Sequence, residues 1–119
     1  MASTADLVAQ AVTQFQERLP ALRNLKLIFG LDLRGRGDLQ QFRVELPGPR
    51  VTRGAAADGR VTVMMPRATF NDLADGSIAA YRRAWEHGDI KVEGDPRVQK
   101  LVASVIERHE ARTKMRKAR

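Results

Sequence analysis

Few residues of this chain have the type and spacing that chemistry needs. The two histidines, His87 and His109, stand apart, one at the end of a helical segment and one beyond the last apolar stripe. Neither has a second ligand at metal-binding spacing, so no metal site is expected. Cysteine is absent, which removes both disulfides and thiolate ligands. Asp72 and Asp75 lie three apart on one helix, but nothing beside them would split their pKa values into an acid and a base, and they read as polar-face residues. No serine sits in a nucleophile elbow, and nothing resembles a phosphate loop. The glycines of Arg34–Asp38 lack the following helix that a dinucleotide fingerprint requires, and Arg36-Gly37-Asp38 is explained by a hairpin turn. The expectation is a protein without catalytic residues, metal or cofactor.

What remains is apolar and aromatic. Phe70, Tyr81 and Trp85 fall on two adjacent short helices joined by Asp75-Gly76-Ser77. By spacing alone they are ordinary core. The elements that must position them are organised around Gly88–Asp95, where Ile90 and Val92 alternate with Lys91 and Glu93, the period of a strand with one buried face. Asp95-Pro96 then starts a helix, Asp as cap and Pro at the first helical position.

The rest of the chain supplies a sheet and a first helix. Leu7, Val8, Ala11, Val12, Phe15 and Leu19 make the stripe of an amphipathic helix over 4–19, capped by Ser3 or Thr4 and stopped by Pro20. Leu25, Leu27, Phe29, Leu31 and Leu33 alternate as the best strand, in which Gly30 marks a bulge or a close backbone approach. Phe42, Val44 and Leu46 form a second strand and Pro47-Gly48-Pro49 a turn. Val51 marks a weak short strand, and Val61, Val63 and Met65 another that ends at Pro66. Short connections make this sheet read as an antiparallel meander. Phe70, Leu73 and Ala74 then share a helix stopped at Gly76, and Ser77 caps a helix carrying Ile78, Tyr81, Ala84 and Trp85. Val98, Leu101, Val102, Val105 and Ile106 form the stripe of the last helix.

The chain has 119 residues and net charge +7, which bounds it to one domain, 1–119. Nothing approaches a transmembrane span or a signal peptide, and a cytoplasmic protein is expected. The charge is uneven: residues 107–119 hold six Lys/Arg and two Glu. Such a basic tail is either a solvated helix end or a contact for an anionic partner, lipid headgroups or nucleic acid. The arginines are scattered and no exposed aromatics interleave with them, which argues against nucleic acid. A nucleic-acid-binding module and an accessory binding domain for a partner enzyme remain the alternatives.

The block from Arg60 to Val105 resembles the sterol carrier protein type two family of lipid-binding domains. The pieces are Val61-Thr62-Val63-Met64-Met65, then Thr69–Gly76, the helix through Tyr81 and Trp85, His87–Asp95, and the apolar helix Val98–Val105. Their order and spacing match the family; the stretch after Gly76 lacks the proline-containing loop common there. The resemblance implies an α+β fold, a mostly antiparallel five-stranded sheet covered by helices, with an apolar tunnel between the layers. It implies binding of fatty acid, fatty acyl-CoA, phospholipid or sterol without catalysis, and transfer of that lipid is the expected use. The basic tail is not a general family feature and is expected to be this protein's own contact with an anionic membrane surface or a partner. Carried over by position, the lipid-binding wall would comprise Phe70, Leu73, Ile78, Tyr81, Trp85, Ile90, Val92, Leu101, Val102 and Val105. The floor would comprise Phe29, Leu31, Phe42, Val44 and Met65.

Overall fold

The computed structural model describes residues 3–74 and 78–117, with side chains to residue 112. The stop at Gly76 and the cap at Ser77 lie outside the described residues. Helix α1 spans Thr4–Arg18. Its start is a reciprocal capping box: the Asp6 amide donates to Ser3 Oγ and the Ser3 amide donates to Asp6 Oδ2, each at 3.2 Å. Two orphan amide donors are thereby satisfied. A short 3₁₀ turn at Pro20–Leu22 carries the chain round a corner into the sheet.

The strands are β1 (Leu27–Arg34), β2 (Leu39–Leu46), β3 (Arg50–Arg53), β4 (Val61–Pro66) and β5 (Lys91–Gly94). Their order in the sheet is β3-β2-β1-β4-β5. β1 and β4 run parallel, and the other three pairings are antiparallel. The sheet is therefore mixed, and the expected meander is corrected at β4, which crosses to lie beside β1. Burial gives the reason. β1 has the longest run of alternating leucines and needs apolar neighbours on both edges. β3 is short and mostly exposed, with Arg50 and Arg53 on it, a composition that suits an open edge.

The crossing loop passes over the back of β1. β1 keeps an unbroken register with β2, so Gly30 is not a bulge, and a Cβ there would meet only the side chains of Thr62 and Ala56 at ordinary contact distance, 3.4–3.6 Å, not a closely approaching backbone. The loop is pinned by the Arg60 amide, which donates to the Ile28 carbonyl (2.9 Å), and by Arg43, which pairs with Asp58 at 2.7 Å. Register aligns one apolar face across the sheet: Phe29 stands beside Val44 and Val61, Leu31 beside Phe42 and Val63, Leu33 beside Met65, and Val63 beside Val92.

Three further helices cover this face: α2 (Arg67–Leu73), α3 (Ile78–Glu86) and α4 (Pro96–Lys117). α3 ends at Gly88, whose φ of +75° is the left-handed conformation that suits a helix stop. α4 starts as the sequence indicates, with the Arg97 amide donating to Asp95 Oδ1 at 2.9 Å. Immediately before it, Gly94 (φ +123°) lies so close to Arg60 and Val61 that no side chain would fit. Side chains from α1, α2 and α3 make one close-packed core with the sheet, around Val8, Leu33, Phe42, Val44, Phe70 and Ile90. A second cluster joins Leu19 and Leu22 of the corner to Ile78, Val105 and Ile106. Among the described residues, α4 does not approach the sheet as closely as α1 approaches β3 or α2 approaches β4.

Candidate functional site

The two clusters leave a space between them. It lies under α4 at one end of the sheet, has a volume of about 370 Å³ and opens to solvent. That size lies within the range of small-molecule pockets, roughly 300–1,000 Å³. Among the described residues it is an open cavity, and no tunnel between the layers is shown.

Strand register decides where the cavity sits. Its floor is Leu27 and Phe29 of β1, Leu46 of β2, Val61 and Val63 of β4, and Val92 of β5. These are neighbouring positions on the one apolar face, all toward the Leu27 end of β1. At the other end, Leu33 and Met65 are covered because β4 leads straight into α2, and Phe70 fills the space above them. Leu22 and Leu25 of the corner close one side.

The helices provide the roof. At about 100° per residue, Val98, Val102 and Ile106 share one side of α4 with Gln99, Ala103 and Glu107, and all six line the cavity. From α3 come Tyr81 and Trp85, their rings stacked with centroids 6.4 Å apart. Phe15 of α1 also packs against Tyr81, at 5.4 Å and tilted by 53°. Burial raises the Tyr81 hydroxyl pKa above the ordinary tyrosine value. Trp85 is 43% exposed and stands at the mouth.

Charge is confined to the rim. Arg82, Glu86 and Glu107 border the cavity with Gln99. Arg82 Nε donates to Glu86 at 2.9 Å within α3, and its Nη1 donates to Glu110 of α4 at 3.1 Å. These bonds, with Glu107 nearby, raise the Arg82 pKa. The pair with Glu110 links the two helices beside the opening. Among the described residues, no group of three or more His, Asp or Glu is placed to hold a metal ion, and no helix is long and apolar enough to cross a membrane.

The structure divides the fifteen residues singled out from the sequence. Phe29, Tyr81, Trp85, Val92 and Val102 line the cavity. Leu31, Phe42, Val44, Met65, Phe70 and Ile90 belong to the close-packed core, and Leu73 packs against it. Ile78 and Val105 belong to the second cluster. Leu101 is 43% exposed, because its place on the helical wheel is about 150° from the centre of the cavity side. Sequence reasoning left out Leu22, Leu25, Leu27, Leu46, Val61, Val63, Val98, Ala103, Ile106 and the rim. Val61 and Val63 carry the same alternation as Met65, so the face was readable; the end of the sheet that stays open was not.

These features define a class: an α+β protein whose mixed five-stranded sheet and last two helices surround an apolar cavity with a polar rim. Its architecture is the sterol carrier protein 2 fold. The crystal structure of sterol carrier protein 2-like 2 from Aedes aegypti superposes with a TM-score of 0.57 at 20% identity, covering 88% of this chain and 98% of that one. A palmitated form of the same mosquito protein, solved in solution, gives 0.56 at 22% identity over 80% of this chain and 93% of that one. Aedes aegypti sterol carrier protein 2 in complex with palmitate gives 0.55 at 16% identity, over 89% and 96%. No protein-family model matches the sequence, and no curated protein is similar to it in sequence. The motif resemblance in Arg60–Val105 and the structural likeness thus point to one fold.

Proposed function

We propose that this chain is a lipid-binding protein of the sterol carrier protein 2 type, and that it holds the hydrocarbon part of a lipid in the cavity beneath α4 without chemical change. The observation that carries the reading is the composition of that cavity. Its floor and roof are aliphatic and aromatic, and its charged groups stand only at the rim. The cavity opens to solvent, so water enters it when no ligand is bound. A bound chain replaces that water: burying a dozen methylenes gains roughly 10 kcal/mol before the cost of association. Two of the structurally similar mosquito proteins were solved palmitated or with palmitate.

We also assign the basic end of α4 to a lipid surface. α4 runs on to Lys117, well past Ile106, the last buried one among its described side chains, and Arg108 and Arg112 are exposed. Each basic residue near an anionic bilayer adds about 1 kcal/mol, and salt screens the effect. A carrier held at a membrane would meet its cargo there and could pass it on.

The test is native mass spectrometry of the purified chain, followed by organic extraction and identification of what co-purifies. A stoichiometric lipid released by denaturation is the expected result. A ligand-free protein whose melting temperature does not rise with any single-chain lipid or sterol would overturn the reading.

A further inference from the structure

We infer that the mouth of the cavity selects lipids with an uncharged, hydrogen-bond-donating head, such as a hydroxyl, over lipids that end in a carboxylate. The inference rests on the lipid-binding reading and concerns only the head. Three observations carry it.

First, Arg82 is the one cation among the described residues that line the cavity, and it is already engaged. Its Nε and Nη1 donate to Glu86 and Glu110 at 2.9 and 3.1 Å. An anionic head would share a guanidinium whose charge two carboxylates already offset. Second, the rim carries more negative than positive charge. Of the groups that line the cavity, Arg82 stands with Glu86 and Glu107, so an anion entering the mouth meets two carboxylates against one guanidinium. Arg83 and Arg108 are exposed on the same two helices and do not line the cavity. The chain's net charge of +7 does not reverse this, because salt limits the reach of distant charges to about 8–10 Å. Third, the uncharged rim groups suit a donor. Gln99 Nε2 donates one hydrogen to the Gly94 carbonyl at 3.2 Å, and its carboxamide oxygen offers an acceptor beside the remaining N–H. An oxygen acceptor accommodates a hydroxyl and opposes a carboxylate.

The probes are 1-decanol, decylamine and decanoate, which share a chain length and differ at the head. Each is titrated into the full chain at neutral pH, read by the fluorescence of Trp85, its only tryptophan. The decisive quantity is the decanol-to-decanoate affinity ratio in the natural chain and in the double variant Glu86→Gln/Glu107→Gln. Comparing the two cancels the differing hydration of the free probes. The ratio should fall about 3- to 10-fold in the variant, as expected for two exposed charges. Raising salt from about 20 mM to about 500 mM should lower it in the natural chain and leave it nearly unchanged in the variant. Decylamine should respond with the opposite sign. A ratio equal in both proteins, or a carboxylate that binds tighter in the natural chain than in the variant, would overturn the selectivity while leaving lipid binding intact. Failure of all three probes, with no co-purified lipid, would overturn the lipid reading itself.

Discussion

Filling the cavity from within separates an open space from a core that is merely loosely drawn. Val102 lines it from the roof and is only partly buried, whereas Val44, at 0% exposure, belongs to the close-packed core. Val102→Phe adds a ring on the side of α4 that faces about 370 Å³ of unfilled space. Valine and phenylalanine have similar helix propensities, so the backbone term nearly cancels. Burying a phenylalanine in place of a half-buried valine gains about 1 kcal/mol of transfer free energy. For a chain this long that raises the melting temperature by about 3–6 °C. The same substitution at Val44 has nowhere to go and should cost about 1–3 kcal/mol by overpacking. Urea and thermal unfolding of both variants read the stability, and decanol titration reads the binding. The expected pattern is Val102→Phe stabilised and unable to bind, with Val44→Phe destabilised. If Val102→Phe loses as much stability as Val44→Phe, or binds as the natural chain does, the cavity is not an open space that a hydrocarbon can take.

Trp85→Ala should cost well under the 3–5 kcal/mol of a buried aromatic, because the ring is 43% exposed, yet should weaken binding of single-chain lipids several-fold; denaturant titration and a dansylated fatty probe measure the two. Tyr81 is the only tyrosine, so tyrosinate absorbance reports it alone. Its pKa is raised by burial, so the neutral form stabilises the fold below pH about 10, and that contribution is lost as pH rises through the folded value. The absorbance midpoint should lie above 10 in the folded chain and return to the ordinary value in denaturant. The hydrogen bond from Arg43 holds Asp58 below the usual carboxylate range. Its contribution is therefore present above pH about 4 and lost as pH falls through the folded value, and Asp58→Asn should flatten the acid limb of a stability–pH curve. Deleting Arg112–Arg119 should weaken binding to phosphatidylserine vesicles with little change in melting temperature; unchanged vesicle affinity would refute the role of the basic end.

Much of the element structure is local and could be read directly. The Ser3 cap, the alternating leucines of β1, the Gly88 stop and the Asp95-Pro96 start act within a few residues of themselves, through backbone hydrogen bonds and side-chain period. Motif order in Arg60–Val105 was enough to indicate the architecture. The parallel place of β4 was not legible. A strand's alternation reports which side chains point inward but not which edge it joins, and here the choice depends on the unmet apolar edges of β1 against the polar edge of β3.

The site shows the same boundary more sharply. Composition and period determined that this chain would bury an apolar sheet face beneath amphipathic helices. Leu31, Phe42 and Met65 have the same pattern as Phe29 and Val63, yet the first three are sealed and the last two floor the cavity. Only the tertiary structure decided that, because α2 seals one end of the sheet while α4 stands away from the other. Which apolar residues meet each other and which meet a gap depends on the distance between layers, and no periodicity along a chain encodes a distance across it.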